Sequence, residues 1–140
     1  MYKIINTNYT KLPKEEEEQK ALVKWLRNNG YFFFAAKNEN NQSYANRRNA
    51  AIHETKARAM GKVKGVSDLV IFLEDKILFM ELKRQKPILK SGKRGKAKNV
   101  PSEEQKSFLD NVAGFKYAIA SVAYGCDLAI ETIKITENDK

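Results

Sequence analysis

The sequence predicts an α/β domain, a mixed β-sheet flanked by helices in the order α-β-(α)-β-β-α-β-α. Three observations lead there. Two continuous apolar runs, Leu69 to Leu73 and Ile77 to Met80, are separated by the polar break Glu74-Asp75-Lys76, the pattern of two buried strands joined by a tight hairpin. A helical stretch begins at Pro101, and a further β-forming run, Lys116 to Ala123, follows it. A helix crossing over between two neighbouring strands makes them parallel, so this last strand should run alongside the second hairpin strand. The 140 residues suffice for a single domain with one modest core.

Taken in order, Pro13 and Lys14 open a helix that runs to about Asn29 and stops at Gly30. Leu22, Val23 and Leu26 form its apolar stripe, with Trp25 beside it. Glu15 and Gln19 lie on the same line as Leu22 and Leu26. An acidic first turn suits the helix dipole, which accounts for Glu15 to Glu18 in general but not for an acid on the stripe that faces the sheet. Tyr31 to Ala36 is strongly β-forming and reads as the first core strand. Lys37 to Gln42 is a polar loop, and Tyr44 to Met60 is a weak, alanine-rich helical segment ended by Gly61. Pro101 and Ser102 start the crossover helix, with Phe108, Leu109 and Val112 on its buried face. Ser102-x-x-Gln105 has the spacing of a capping box, which alone would account for Gln105. Tyr124 to Ile133 is a final short helix, and no internal repeat is present.

The hairpin carries the chemistry. With a two-residue loop at Glu74-Asp75, paired positions sum to 149, so Asp68 faces Glu81 directly. Opposed residues share a sheet face with Cβ atoms about 5 Å apart. Lys83, two residues on, joins that face; a three-residue loop would send Glu81 to the other one. Charged strand ends are ordinarily solvated edges or weak ion pairs. Here, though, the charges gather at one end of otherwise apolar strands. Gly65, three residues before Asp68, allows a close backbone approach, and the flanking sequence is basic on both sides. Two carboxylates held together repel unless a cation or proton lies between them. With a lysine beside them, they suit a divalent-metal site for phosphodiester hydrolysis.

Composition agrees. Twenty-six Lys and Arg against 17 Asp and Glu give a formal charge of +9, and the pI is near 9.6. An anionic partner follows, with nucleic acid ahead of membrane. No apolar stretch approaches a membrane span, and MYKIINTNYTKLPKEEEE lacks the apolar centre of a secretion signal, so a cytoplasmic location is expected. Cys126 and His53 each stand alone; the first reads as a buried filler, the second as a surface or DNA-facing side chain rather than a metal ligand. Arg47, Arg48, Lys56, Arg58, Lys62 and Lys64 have only Glu54 as a nearby acid, which favours phosphate contact over an ordinary mixed surface. From Lys83 to Lys98 there are eight lysines and arginines and no acid until Glu103. Arg84, Lys86, Lys90, Lys93, Arg94, Lys96 and Lys98 therefore read as a basic, mobile loop over 84–100 that orders on nucleic acid.

The run Gly65-Val66-Ser67-Asp68, then Glu81-Leu82-Lys83, then Ser102-Glu103-Glu104-Gln105, resembles the PD-(D/E)XK nuclease superfamily. More narrowly, it resembles the virus-type replication-repair nuclease branch, VRR-NUC, in its stand-alone phage and bacterial form. The resemblance extends from Glu15 to about Val122, with Ser67 where a proline is expected before the aspartate. It implies a restriction-endonuclease-like core and an Mg²⁺- or Mn²⁺-dependent endonuclease. Asp68, Glu81 and a glutamate of the first helix would bind metal; Glu15 matches by its spacing, while Glu16 and Glu18 stay open. The Leu82 carbonyl would be an added ligand, and the oxygen donor set suits a hard cation and not zinc. Lys83 would orient the attacking water, and Gln105 would hold water or phosphate. Stand-alone relatives that resolve branched DNA imply a four-way junction substrate and, since symmetric cutting needs two centres, a homodimer. A DNA-binding accessory with the fold but no catalysis is the rival reading, and a structural RNA-binding protein is a third.

Overall fold

The computed structural model describes residues 12–36 and 46–139. The elements are α1 (Glu15–Asn28), β1 (Phe32–Ala35), α2 (Arg47–Ala59), β2 (Leu69–Phe72), β3 (Ile77–Lys83), α3 (Glu103–Ala113), β4 (Ala118–Tyr124) and α4 (Cys126–Asn138). The strands form one mixed sheet in the order β1-β2-β3-β4. β1 and β2 are antiparallel, as are β2 and β3, while β3 and β4 run parallel. The expected polar loop over 37–42, the helix start at Tyr44 and the first eleven residues lie outside the described residues.

The hairpin has the register that the two-residue loop requires. Leu69 pairs with Met80, Val70 with Phe79, Ile71 with Leu78 and Phe72 with Ile77. The Leu73 N–H donates to the Lys76 carbonyl at 2.8 Å and closes the loop at Glu74-Asp75. Side chains alternate between faces. Leu69, Ile71, Leu78, Met80 and Leu82 therefore point to one side, where they meet Leu22 and Leu26 of α1 and Ala129 and Ile133 of α4 in the core. Phe79 points to the other side and meets Phe108 of α3, with ring centroids 5.9 Å apart.

Two expectations are corrected. β1 is an edge strand rather than a core strand: Phe33 turns toward the core, while Phe32 is 70% and Phe34 48% exposed, and both rings lean on Phe72. A continuous apolar run looks the same whether its second face is covered or open. The final helix starts at Cys126, because Tyr124 completes β4, and it continues past Ile133 to Asn138. The basic segment after β3 has structure of its own. Ile88 and Arg94 form a bridge, and the Leu89 N–H donates to the Lys93 carbonyl and the Gly95 N–H to the Pro87 carbonyl.

α2 is unlike the other helices. Asn46 caps it by accepting from the Asn49 N–H at 2.9 Å, but it has no buried residue. Among the described residues it packs on no other helix or strand.

Candidate active site

The carboxyl end of β3, beside the start of β2, gathers the charged residues that the hairpin pattern singled out. Asp68 immediately precedes β2, and its Oδ2 accepts from the Leu82 N–H at 2.8 Å. Within a strand the N–H and C=O of one residue point the same way, so the Leu82 carbonyl also lies on the Asp68 side. Glu81, 1% exposed, stands on the α3 face. Its Oε1 accepts from Gln105 Nε2 at 2.8 Å and lies 3.9 Å from Lys83 Nζ. Lys83 Nζ donates to Gln105 Oε1 at 3.1 Å.

Gln105 forms the capping box and also contacts the charged residues of β3. The capping box is present: the Gln105 N–H donates to Ser102 Oγ at 3.2 Å, and Gln105 Oε1 accepts from the Ser102 N–H at 2.8 Å. The same oxygen also accepts from Lys83, and the amide nitrogen is free to donate to Glu81. One side chain thus ties the first turn of α3 to both charged groups of β3. Gly65 permits this placement. At φ +78° it lies against α3, and a Cβ there would come within 2.3 Å of the Glu104 carbonyl group and 2.6 Å of the Gln105 nitrogen. Only glycine allows that approach.

The electrostatics follow from burial. The Glu81 carboxyl is pushed up from 4.5 to about 8, first by burial and then by the charge of Asp68, with Lys83 pulling it down and Glu15 adding a little. A side-chain hydrogen bond with Asp68 contributes to that rise, and among the described residues Glu81 Oε2 is otherwise buried without a partner. Two adjacent carboxylates with an orphaned oxygen call for a proton or a cation. Among the described residues no three Asp, Glu, His or Cys side chains converge closely enough to complete a metal site alone. Asp68, Glu81 and the Leu82 carbonyl are oxygen donors only, a set whose chemistry fits a hard divalent cation.

Of the four acids that open α1, Glu17 is simply exposed and the other three separate cleanly. Glu15 lies within electrostatic reach of the site: partial burial raises its carboxyl, Asp68 raises it further and Lys83 lowers it. Glu16 is exposed and pairs with Lys20 at 3.1 Å. Glu18 is buried but turns to α4, where its Oε1 accepts from the Cys126 N–H at 3.3 Å. Cys126 is a buried filler, its thiol raised chiefly by burial.

The basic residues divide as well. Arg47, Arg48, His53, Lys56 and Arg58 are exposed on α2, as is Lys64 beyond its end. Lys62 pairs with Glu54 at 3.4 Å. Lys90, Lys93, Lys96 and Lys98 are exposed. The neighbouring cations are engaged in the fold. Arg84 donates to the Pro13 carbonyl at 2.8 Å and to that of Leu12 at 2.5 Å. Arg94 donates to the Lys86 carbonyl at 2.9 Å and to Gln85 Oε1 at 3.3 Å. Lys86 Nζ sits 4.9 Å from the centre of the Tyr124 ring.

No protein-family model and no curated protein matches the chain. A solved structure described as a VRR_NUC domain protein is similar to it at 19% sequence identity and a TM-score of 0.62, across 92% of this chain and 93% of that one. The likeness is one of fold: a mixed four-stranded sheet with flanking helices.

Proposed function

We propose that the chain is a metal-dependent endonuclease that hydrolyses phosphodiester bonds in DNA, with branched DNA such as a four-way junction as its preferred substrate. The observation that carries this reading is the Asp68–Glu81 pair. Two carboxylates are brought together at a sheet end, one of them buried with an unsatisfied oxygen, and a lysine and a glutamine stand within reach. The fold shared with a VRR_NUC domain protein supports it. Such an arrangement contributes little as a structural ion pair, because burying acids beside each other is unfavourable.

Asp68, Glu81 and the Leu82 carbonyl would hold Mg²⁺ or Mn²⁺, and Glu15 would add negative charge at the rim. The cation supplies Lewis acidity toward the phosphate and a lowered pKa for bound water. Lys83, kept in place by Gln105, presents its ammonium to the attacking water and to the charge that grows on the phosphate oxygens. Gln105 fixes the distance between Lys83 and Glu81 through its two ends. Arg47, Arg48, Lys56, Arg58 and Lys64, with Lys90, Lys93, Lys96 and Lys98, offer charge to the phosphate backbone.

Incubating the protein with duplex, flap and four-way DNA in Mg²⁺, in Mn²⁺ and in chelator tests the reading. Metal-dependent cutting that Asp68→Asn abolishes supports it. Tight binding without cutting in either metal would leave a DNA-binding accessory with a nuclease fold.

A further inference from the structure

Of the acids in the first turn of α1, Glu18 alone is buried, and it lies outside the proposed centre to which Glu15 belongs. Glu18, 4% exposed, has one oxygen on the Cys126 N–H and the other without a hydrogen-bond partner among the described residues. The start of α4 needs no such distant acceptor: a short polar side chain at the cap position would serve, whereas Glu18 reaches it from 108 residues away. A half-satisfied carboxyl group in the interior is a burden on stability, and an apolar side chain of similar volume is usually neutral or better. Stability therefore does not explain Glu18.

Geometry does. The residue before Cys126 is Gly125, whose N–H donates to the Lys83 carbonyl at 2.8 Å. Its φ is +99°, and a Cβ there would lie 3.1 Å from Glu18 Oε2 and 2.6 Å from Gln85 Cγ. The first turn of α1, the end of β3 and the start of α4 thus meet at one point. Just upstream, Arg84 grips the Leu12 and Pro13 carbonyls from the other side. Glu15 lies between these two ties, both of which lead back to the strand that carries Glu81 and Lys83.

We propose that Glu18 is a positioning residue of the centre: its hold on the Cys126 N–H, and through Gly125 on the end of β3, sets where the first turn of α1 presents Glu15 to Asp68 and Lys83. This rests on the nuclease reading, and it has consequences that cleavage alone does not measure.

The test uses the full chain with Glu18→Leu and Glu18→Gln, followed by thermal melting, amide exchange at Cys126 and in the first turn of α1, Mn²⁺ calorimetry and cleavage. Glu18→Leu should melt at or above the wild-type temperature, exchange its Cys126 amide faster, and lose about tenfold in Mn²⁺ affinity and in turnover, as removal of an orienting partner does. Glu18→Gln keeps an oxygen for the Cys126 N–H and should recover most of both. The proposal is overturned by wild-type Mn²⁺ affinity and turnover in Glu18→Leu, by losses that merely follow a lowered melting temperature, or by Glu18→Gln being as damaged as Glu18→Leu. Should the wild-type protein cut no DNA, the nuclease reading fails; Glu18 is then judged on Mn²⁺ affinity, where a drop in Glu18→Leu upholds its role and no binding by any form refutes it.

Discussion

Asp68→Asn and Glu81→Gln each take one charge from a pair that repels itself, while leaving atoms that still accept from the Leu82 N–H or from Gln105. The fold should therefore survive. Cleavage in Mg²⁺ should fall at least about a hundredfold, since a charge that would hold the cation is gone, while DNA binding holds or tightens; a purified, folded variant that still cuts in Mg²⁺ removes the metal site from consideration. Lys83→Ala should lower turnover at saturating metal and DNA by about a hundredfold, in line with loss of a group that stabilises transition-state charge. A rise in KM alone would make Lys83 a phosphate anchor. The raised Glu81 carboxyl has its own consequence. The folded state holds that proton more tightly than the unfolded chain, so stability is fullest below about 4.5 and is lost as pH rises toward about 8. Glu15 shifts in the same direction. Denaturant titrations in chelator should show this decline, flattened in Glu81→Gln. At this scale Glu18 escaped the sequence: four identical acids in a row conceal which is buried, although its spacing of four from Leu22, repeated at Leu26, is the signal that could have found it.

The hairpin was legible because a two-residue loop and a period of two leave one register that buries both apolar sets, and the observed pairing obeys it. The edge position of β1 was not, because what covers a strand is decided by elements elsewhere in the chain. The basic segment after β3 was read from charge alone, which cannot tell an exposed lysine from an arginine committed to backbone carbonyls. That distinction gives a sharp expectation. Replacing Lys93 and Lys96 should each flatten the log–log salt dependence of DNA binding by about one unit, with little effect on folding. Arg84→Gln should instead loosen the entry to α1 and change the slope little, because its guanidinium is held by Leu12 and Pro13. Equal slopes for all three variants would undo this division. α2, lacking packing partners among the described residues, is marginal as an isolated helix, and its amides should gain exchange protection when DNA is added.

At the level of the whole molecule, the described residues offer one proposed centre per chain, and paired nicks across a four-way junction would require two related by symmetry. The apolar stripe of α1 is not available for such an interface, because Leu22 and Leu26 are fully buried in the protein's own core. Phe32 and Phe34 on the β1 edge are exposed and would be the contact surface of the homodimer that a junction substrate implies. Sedimentation of the free protein should give a dimer that Phe32→Ser with Phe34→Ser converts to a monomer, and the wild type should cut a four-way junction ahead of linear duplex. A monomeric wild type without preference for branches would leave a plain metal-dependent nuclease. No helix among the described residues is long and apolar enough to cross a membrane.

The hydrogen bonds that assemble the centre differ greatly in reach along the chain. The one from Leu82 to Asp68 spans 14 residues, that from Gln105 to Glu81 spans 24, and that from Cys126 to Glu18 spans 108. Short-range contacts lose the least chain entropy on forming and appear earliest in folding. The two acids should accordingly meet while water still screens them, and α3 and α1 should close over them afterwards. Rate measurements on conservative variants would then give Ile71 and Leu78 φ-values near one and Glu18 a value near zero. The repulsion within the pair would be felt late, when the last helices dock and the water leaves.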